Sequence, residues 1–258
     1  MIISHRYKFL FIGLPFSASS AITKDLHEEH DGKPYLRKHS LYHEFVKVAT
    51  DEEKKYFVFA VLRNPMEITV TVYEKMKSNS KGNFTNPDLF TENGGYISKK
   101  NRERFNFIQE NNATFQEYFI KFFNKPLDNF TSITLDNCNY IIRYENIAED
   151  YKTALIKAGV KNPKPLAVTN KTCGKKKDIT EYYTEEVQRL ALFVFGPFLS
   201  KYNYEFPDKW INKEVPFSAY FLFKIGKIAR RLKWKIKKHS NRKSIKGSIY
   251  GDMQRKKN

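Results

Sequence analysis

The sequence predicts an α/β fold: a central, mostly parallel β-sheet flanked by helices in three layers, followed by a basic helical C-terminal tail. Short apolar runs alternate with segments of helical periodicity along most of the 258 residues, which is the pattern of an open sheet with crossover helices. Residues 56–63 form a continuous apolar run ending on an arginine, which is typical of a strand covered on both faces. Hydrophobic residues make up 41% of the chain, enough for a globular core.

The first part of the sheet is predicted from three apolar segments and the turns between them. A strand leads through a serine-containing loop into the first helix, and turn residues separate that helix from a second, shorter strand. The predicted elements are a strand at 7–14, a helix at about 19–30, a turn at 31–34, a strand at 35–40, a helix at 41–49 and a strand at 56–63.

The residues after Arg63 carry two conflicting signals. Asn64 is a favourable helix N-cap and Pro65 suits the first helical position. From Ile68 to Val72, however, apolar residues alternate with threonines as they do in a strand. We predict a helix, because the cap and the proline together are the more specific signal.

The remaining elements complete one predicted domain, residues 1–216. A polar stretch at about residues 78–103 is expected to be an insertion or a lid. Residues 217–258 are expected to form a basic amphipathic helix and a loose tail. The later predicted elements are helices at 104–111 and 114–124, a strand at 140–147, and helices at 148–158 and 184–201.

The formal net charge of +18 is concentrated at one end of the chain. From Phe217 onward there are 14 Lys or Arg residues against one acid, Asp252, which leaves +5 for the rest. A nucleic-acid-binding protein would spread its positive charge over the folded face that meets phosphates, so this asymmetry argues against that class.

Cysteine usage and the first residues bear on the compartment. The two cysteines, Cys138 and Cys173, lie in neither a disulfide framework nor a metal-ligand motif, so we expect a reducing compartment and no metal site. The start "MIISHRYKF" does not resemble a secretory signal, and no apolar stretch reaches about 18 residues. We therefore expect a cytoplasmic protein, peripheral on the inner membrane face if its tail binds there.

Two predicted strand ends carry groups suited to an anion. The first strand ends in "GLPFSASSAI", where backbone N–H groups, hydroxyls and a helix start make a cradle for phosphate or sulfonate. The third strand ends on Arg63, which is able to bind a second phosphate. Thr71 follows one to two helical turns later. Neighbouring cradles suggest one ligand with two phosphates. Small-residue turns and strand-end arginines also occur with no ligand, and the loop lacks the lysine of a Walker A motif.

These residues resemble those of a known family. "FIGLPFSASSAI" resembles the 5′-phosphosulfate loop of sulfotransferases that use 3′-phosphoadenylyl sulfate (PAPS), and "VLRNPMEITVTVY" resembles their 3′-phosphate motif. "YIIRYENI" and the segment up to residue 207 are similar to later parts of the glycan-modifying branch. The resemblance implies a P-loop-NTPase-like sulfotransferase fold, PAPS as sulfonate donor, the bisphosphate PAP as product, and no metal.

The resemblance also implies roles for individual residues. Arg63 and Thr71 would hold the 3′-phosphate. The family often has a second arginine where this chain has Ile68, so one phosphate contact is either missing or supplied elsewhere, with Lys171 and the lysines at 175–177 as the candidates. The residues implied for the 5′-phosphosulfate are Pro15, Phe16, Ser17, Ala18, Ser19, Ser20 and Ala21.

Phe16 is the main departure from the family pattern. Many relatives have a lysine or arginine at this position to bridge the leaving phosphate and the sulfonate, and a phenylalanine cannot neutralise that charge. Lys24 and Lys38 are the nearest candidate replacements, and Lys38 is better placed because it lies near the end of the predicted second strand. Phe16 is otherwise an apolar wall.

The catalytic base is expected in "RKHSLYHEF". His39 has an intrinsic pKa suited to taking a proton near neutrality, and Lys38–His39 resembles a pair found in some glycan sulfotransferases. His43 and Glu44 follow one turn later, and each is either a base or a group that orients the base.

The tail predicts a basic amphipathic helix. Its apolar positions are Phe221, Ile225, Ile228, Leu232 and Ile236, with lysines and arginines beside them. Such a helix binds an anionic membrane surface or packs its apolar side on the body, and the sequence leaves both open. Beyond residue 238 the chain is expected to be loose, and it is able to attract an anionic polysaccharide.

The leading hypothesis is therefore an enzyme that transfers a sulfonate from PAPS to a hydroxyl of a glycan or glycolipid. The alternative is a non-catalytic nucleotide- or polyanion-binding protein that kept the cradle and lost the chemistry, with Phe16 as its main support. An adaptor led by the basic tail is a third, weaker hypothesis.

Overall fold

The protein is described from a computed structural model, in which residues 1–127, 131–166, 178–236 and 249–255 are described. The chain forms two compact units. The first comprises Met1–Arg63, Asn129–Thr169 and Lys227–Asn258, and the second comprises Asn64–Asp128 and Asn170–Gly226. The division at residue 216 stays a prediction, because compact packing units need not coincide with folding domains.

The first unit contains a five-stranded sheet in the order β3-β1-β2-β4-β5. The pairs β2–β4 and β4–β5 are parallel, whereas β1 pairs antiparallel with both β2 and β3. The α/β class is therefore confirmed, but the sheet is mixed rather than mostly parallel. The strands are β1 (Ile2–Ser4), β2 (Phe9–Ile12), β3 (Lys33–Pro34), β4 (Phe57–Leu62) and β5 (Tyr140–Arg143).

The second strand was predicted at the wrong place. Residues 33–34, expected in a turn, pair with β1, and the expected strand at 35–40 is a loop. Leu36 has a φ of 55°, in the left-handed region that interrupts an extended chain. The Ser40 N–H then donates to the Arg37 carbonyl at 3.1 Å, which closes a turn. Lys38 and His39 therefore lie in a loop rather than at a strand end.

Among the described residues, five helices lie wholly within the first unit. Phe9, Phe11 and Phe59 from the sheet pack with Leu26 of the helix at residues 19–29 and with Tyr151 of the helix at residues 147–157. All five side chains are buried. Residues 249–255, expected to be loose, form a helix instead. The helices are α1 (Ser19–Glu29), α2 (Tyr42–Phe45), α6 (Thr131–Leu135), α7 (Ile147–Lys157) and α10 (Ile249–Arg255).

The second unit is helical and has an aromatic core. Phe115, Phe119, Tyr183 and Phe195 are buried against one another in it. The predicted insertion begins as short 3₁₀ turns, and its last residues, from Lys99, already belong to a helix. The helices are α3 (Pro65–Lys77), α4 (Lys99–Glu110), α5 (Phe115–Phe122) and α8 (Glu185–Lys201), and α9 (Phe217–Ile236) runs from this unit into the first.

The helix predicted after Arg63 is confirmed as α3. The Asn64 side chain accepts a hydrogen bond from the Met66 N–H at 2.9 Å, and Pro65 occupies the first helical position. The local cap therefore outweighs the strand-like alternation that follows it.

Within the described residues, none of the helices combines the length and apolar character needed to cross a bilayer.

Candidate functional site

The parallel pairing of β2 and β4 brings two candidate segments to one sheet edge. Ile12 of β2 is in register with Ala60 of β4, so the loop after Ile12 and Arg63 both leave the sheet at its carboxyl edge. In α/β sheets this edge is where ligands bind. The loop of residues 13–18, called the serine loop below, and Arg63 both belong to the first unit.

The backbone of the serine loop adopts an unusual conformation. Phe16 and Ala18 have φ values of 61° and 53°, in the left-handed region that non-glycine residues rarely enter. The Ser17 hydroxyl donates to the Leu14 carbonyl at 2.7 Å, and the residue is buried. Ser17 therefore fixes the loop with its side chain, and its hydroxyl faces inward rather than toward a ligand.

The serine loop leads directly into the N-terminus of α1. Ala18 is the N-cap residue, so no side chain caps the helix, and its first turn contains no acidic residue. The first N–H groups of a helix have no partner within the helix, and the helix dipole favours an anion beside them. This end of α1 is therefore electrostatically suited to phosphate or sulfonate.

Gly13 allows the loop that carries Lys38 to lie against the end of β2. A Cβ atom on Gly13 would meet the Ser19 Cβ at 3.1 Å and the Lys38 carbonyl oxygen at 3.3 Å. Both separations are tighter than ordinary van der Waals contact. The missing side chain thus brings the start of α1 and the residue 36–40 loop together at one point.

Lys38 reaches the first turn of α1. Its Nζ donates to the Ser20 Oγ at 2.7 Å, which holds the ammonium group beside the serine loop. Lys24, the other candidate cation, is exposed on α1 and forms an ion pair with Glu28 at 4.0 Å. Of these two lysines, only Lys38 places its positive charge beside the serine loop. It therefore provides a charge that Phe16 does not carry.

His39 is anchored by the serine loop. Its Nδ1 lies 2.6 Å from the Gly13 carbonyl oxygen. A carbonyl can only accept, so this contact assigns the proton of a neutral ring to Nδ1 and leaves Nε2 as the acceptor. Burial, chiefly, and the nearby Lys38 charge lower the pKa of His39 to about 4, although the Gly13 carbonyl opposes this. By its solvent-accessible surface the residue as a whole is nevertheless exposed, and a pKa below 6.5 leaves the ring neutral near pH 7.

Arg63 joins the end of β4 to the serine loop. Its Nη1 donates to the Phe16 carbonyl at 3.1 Å, and its guanidinium lies 4.4 Å from the centroid of the Tyr144 ring. This geometry holds the guanidinium at the loop and gives it a structural role there as well.

A segment far along the chain supports the Lys38 loop. The Tyr250 hydroxyl of α10 lies 2.9 Å from the Tyr35 carbonyl and 3.1 Å from the Leu36 carbonyl, and Tyr250 is buried. Gln254 Nε2 donates to the same Leu36 carbonyl at 2.5 Å. Sequence reasoning missed this support, since a lone Tyr in a polar tail was the only signal.

His43 and Glu44 have other surroundings. The Glu44 carboxylate accepts from Arg37 Nη2 at 2.8 Å and from the Leu41 N–H at 2.9 Å, so it is occupied in a local structural network. Burial, and then the charges of Arg231, Lys47 and Lys235, lower the pKa of His43.

The other predicted binding residues are placed as follows. Thr71 lies on α3 of the second unit and is 2% exposed. Lys171 and the lysines at 175–177 lie outside the described residues. Phe16, at 39% exposure, presents an apolar ring at the serine loop, and Pro15 beside it is also exposed. In the described part of the chain, His, Cys, Asp and Glu form no group suited to a metal ion.

The site thus brings together the serine loop, Lys38, His39 and Arg63 within the first unit. It combines a helix N-terminus, two cations and one neutral imidazole at the carboxyl edge of parallel strands. Compared with protein-family models, curated proteins and solved structures, the chain matches none of them.

Proposed function

We propose that the protein binds PAPS at the serine loop and transfers its sulfonate to a hydroxyl of a glycan or glycolipid. The observation that carries this proposal is the pair of cations at the loop: Lys38 on Ser20, and Arg63 on the Phe16 carbonyl. Two cations beside a helix N-terminus favour a ligand with more than one phosphate or sulfonate charge. The resemblance described above narrows that ligand to PAPS.

Lys38 is assigned the charge that Phe16 lacks. As sulfonate leaves the 5′-phosphate, negative charge develops on the phosphate oxygen, and a fixed ammonium beside it lowers the energy of that state. The 2.7 Å bond to Ser20 holds Lys38 at the first turn of α1 in advance, so the group need not reorganise during the reaction.

His39 is assigned the role of base. The acceptor hydroxyl oxygen forms a bond to sulfur, the bond from sulfur to the 5′-phosphate oxygen breaks with its electron pair, and PAP leaves. The hydroxyl proton passes to His39 Nε2, the acceptor that the Gly13 contact leaves available. Burial, more than the Lys38 charge, lowers the pKa of His39 and makes the imidazole a weak base. Phosphates bound beside Lys38 would offset its charge and so raise the pKa of His39.

The second candidate function is a nucleotide- or polyanion-binding protein without catalysis. The observation that favours it is Phe16, whose exposed apolar ring occupies the position at which the resembled family often has a cation. The arrangement of Lys38, Arg63 and the serine loop serves binding alone equally well. Both candidates share the proposed cytoplasmic location.

The test is transfer of labelled sulfonate from PAPS to a panel of glycans and glycolipids, run beside retention of the full chain on immobilised adenosine 3′,5′-bisphosphate. The proposal predicts retention of the wild type, labelled product with at least one acceptor, and loss of retention in Arg63→Ala. Arg102→Ala, which removes an arginine paired with Glu92 in the second unit, is the matched control and should be retained.

The outcomes separate the two candidates. Retention without transfer to any acceptor favours the non-catalytic protein. Failure of the wild type to be retained contradicts both, because each requires the nucleotide site.

A further inference from the structure

Helix α9 docks through one face and leaves a second apolar face exposed. Trp234 is buried with Leu41 and Ile133, and the Lys47 ammonium donates to the Trp234 carbonyl at 3.1 Å. Lys227 and Arg231 both pair with Asp136. The C-terminal half of α9 is therefore fixed in the first unit without using the apolar stripe that the sequence predicts.

The exposed face carries large apolar side chains along the whole helix. At about 100° per residue, six of them fall within a sector of about 100°, on the side opposite the buried Ala219, Phe223 and Trp234. Half of the large hydrophobic side chains exposed in the described residues lie on this one helix. The six, called the α9 stripe below, are Phe217 (84% exposed), Phe221 (57%), Ile225 (47%), Ile228 (58%), Leu232 (54%) and Ile236 (82%).

The charge beside the α9 stripe has one sign. Helix α9 contains no acidic residue, and Lys224, Lys233 and Lys235 are exposed on it. The partner of this surface must therefore offer an apolar phase and negative charge together. The same surface on a second copy of the chain would offer apolar side chains but also the same positive charge. A polysaccharide or nucleic acid would offer negative charge but no apolar phase in which six large side chains could be buried.

We propose that the α9 stripe is a binding surface for an anionic lipid bilayer, on which the helix lies parallel to the membrane plane. Six apolar side chains enter the boundary between headgroups and acyl chains, while the lysines meet anionic headgroups. A 20-residue helix is about 30 Å long, and its six Lys and Arg residues suit a helix lying on the surface rather than crossing it. The inference does not depend on the nucleotide site.

The experiment is co-sedimentation of the full chain with vesicles of phosphatidylcholine alone and with phosphatidylserine added. The wild type is expected to bind the anionic vesicles, to lose binding as salt rises, and to bind the neutral vesicles at least about tenfold less. The double variant Ile228→Asp with Leu232→Asp is expected to bind the anionic vesicles at least about tenfold more weakly than the wild type. Charge reversal by Lys224→Glu with Lys235→Glu is expected to weaken it similarly.

The matched control places the same change on other exposed isoleucines. Ile120→Asp with Ile156→Asp alters side chains that are 48% and 53% exposed on α5 and α7, and vesicle binding should stay as in the wild type. Thermal unfolding of each variant checks that the fold is kept. The proposal is overturned if the wild type does not bind anionic vesicles, or if the stripe and control variants bind equally well. Stripe-dependent self-association in sedimentation without vesicles, in place of vesicle binding, would also overturn it.

Discussion

His39 and His43 are four residues apart, and sequence reasoning offered both as bases, yet the fold gives them different surroundings. His39 lies against the Gly13 carbonyl beside Lys38, whereas the charges around His43 come from Arg231, Lys47 and Lys235. Both have lowered pKa values, so the direction of the shift alone does not distinguish a site residue from a structural one. What distinguishes them is which segment holds the ring: the serine loop holds His39.

Removal of each imidazole ring in turn tests this difference between His39 and His43. His39→Asn keeps an N–H that can donate to the Gly13 carbonyl but removes the group that takes the proton. Sulfonate transfer should fall by about 10²–10⁴ while nucleotide binding is kept, measured by labelled product and retention on immobilised adenosine 3′,5′-bisphosphate. His43→Asn should leave both sulfonate transfer and nucleotide binding unchanged. Equal losses of transfer in the two variants would contradict the assignment of His39, rather than His43, as the base.

The two lysines flanking these histidines give the next largest effect. Lys38→Ala removes the cation that bonds to Ser20, and affinity for adenosine 3′,5′-bisphosphate should fall by about tenfold to a hundredfold. Lys47→Ala removes an ammonium bonded to the Trp234 and Lys235 carbonyls, so it should not change that affinity. Calorimetric titration measures both, and an unaltered affinity in Lys38→Ala would remove this lysine from the site.

A smaller effect is expected from the support behind the Lys38 loop. Tyr250→Phe removes the hydroxyl that contacts the Met1, Tyr35 and Leu36 carbonyls, and the free energy of unfolding should fall by about 1–3 kcal/mol. Tyr96→Phe is the control, since Tyr96 is 55% exposed and its loss of a hydroxyl should change stability little. Chemical denaturation compares them, and equal stabilities would show that the Tyr250 hydroxyl does not stabilise the loop.

The smallest expected effect is on the pH dependence of stability. The pKa of His39 is about 4 in the folded protein against an ordinary value of 6.5, so between these values the unfolded chain binds more protons. Its contribution to stability is therefore full above pH 6.5 and declines as the pH falls toward 4. In His39→Asn the unfolding free energy should decline less steeply over this window, and an unchanged slope would mean that His39 titrates normally.

Local signals predicted the elements that frame the site, but not the contacts that assemble it. The apolar run of β4 and the Asn64–Pro65 start of α3 are decided by adjacent residues, and the sequence identified both. The loop at 35–40 was mistaken for a strand, because its turn depends on Leu36 in a left-handed conformation. The contact of His39 with Gly13 and that of Tyr250 with Leu36 join residues 26 and 214 positions apart, and no periodicity reports such contacts.

The tail shows the same limit. The sequence located the amphipathic helix and its apolar stripe, but it could not decide which side would dock. Trp234 lies on the opposite side of the helix from the stripe, and it is the residue that packs with Leu41 and Ile133. A helix with two apolar faces can bury either one, and the choice depends on partners such as Asp136 elsewhere in the chain.

NMR titration of both histidine rings, without and with adenosine 3′,5′-bisphosphate, tests whether the nucleotide binds at the serine loop. We expect a His39 pKa of about 4 in the free protein and a higher one with the nucleotide, because bound phosphates offset the Lys38 charge and stabilise the imidazolium. The pKa of His43 should not respond. A His39 pKa that stays unchanged while the nucleotide binds, or a response at His43 alone, would place the nucleotide elsewhere and contradict the assignment of the serine loop.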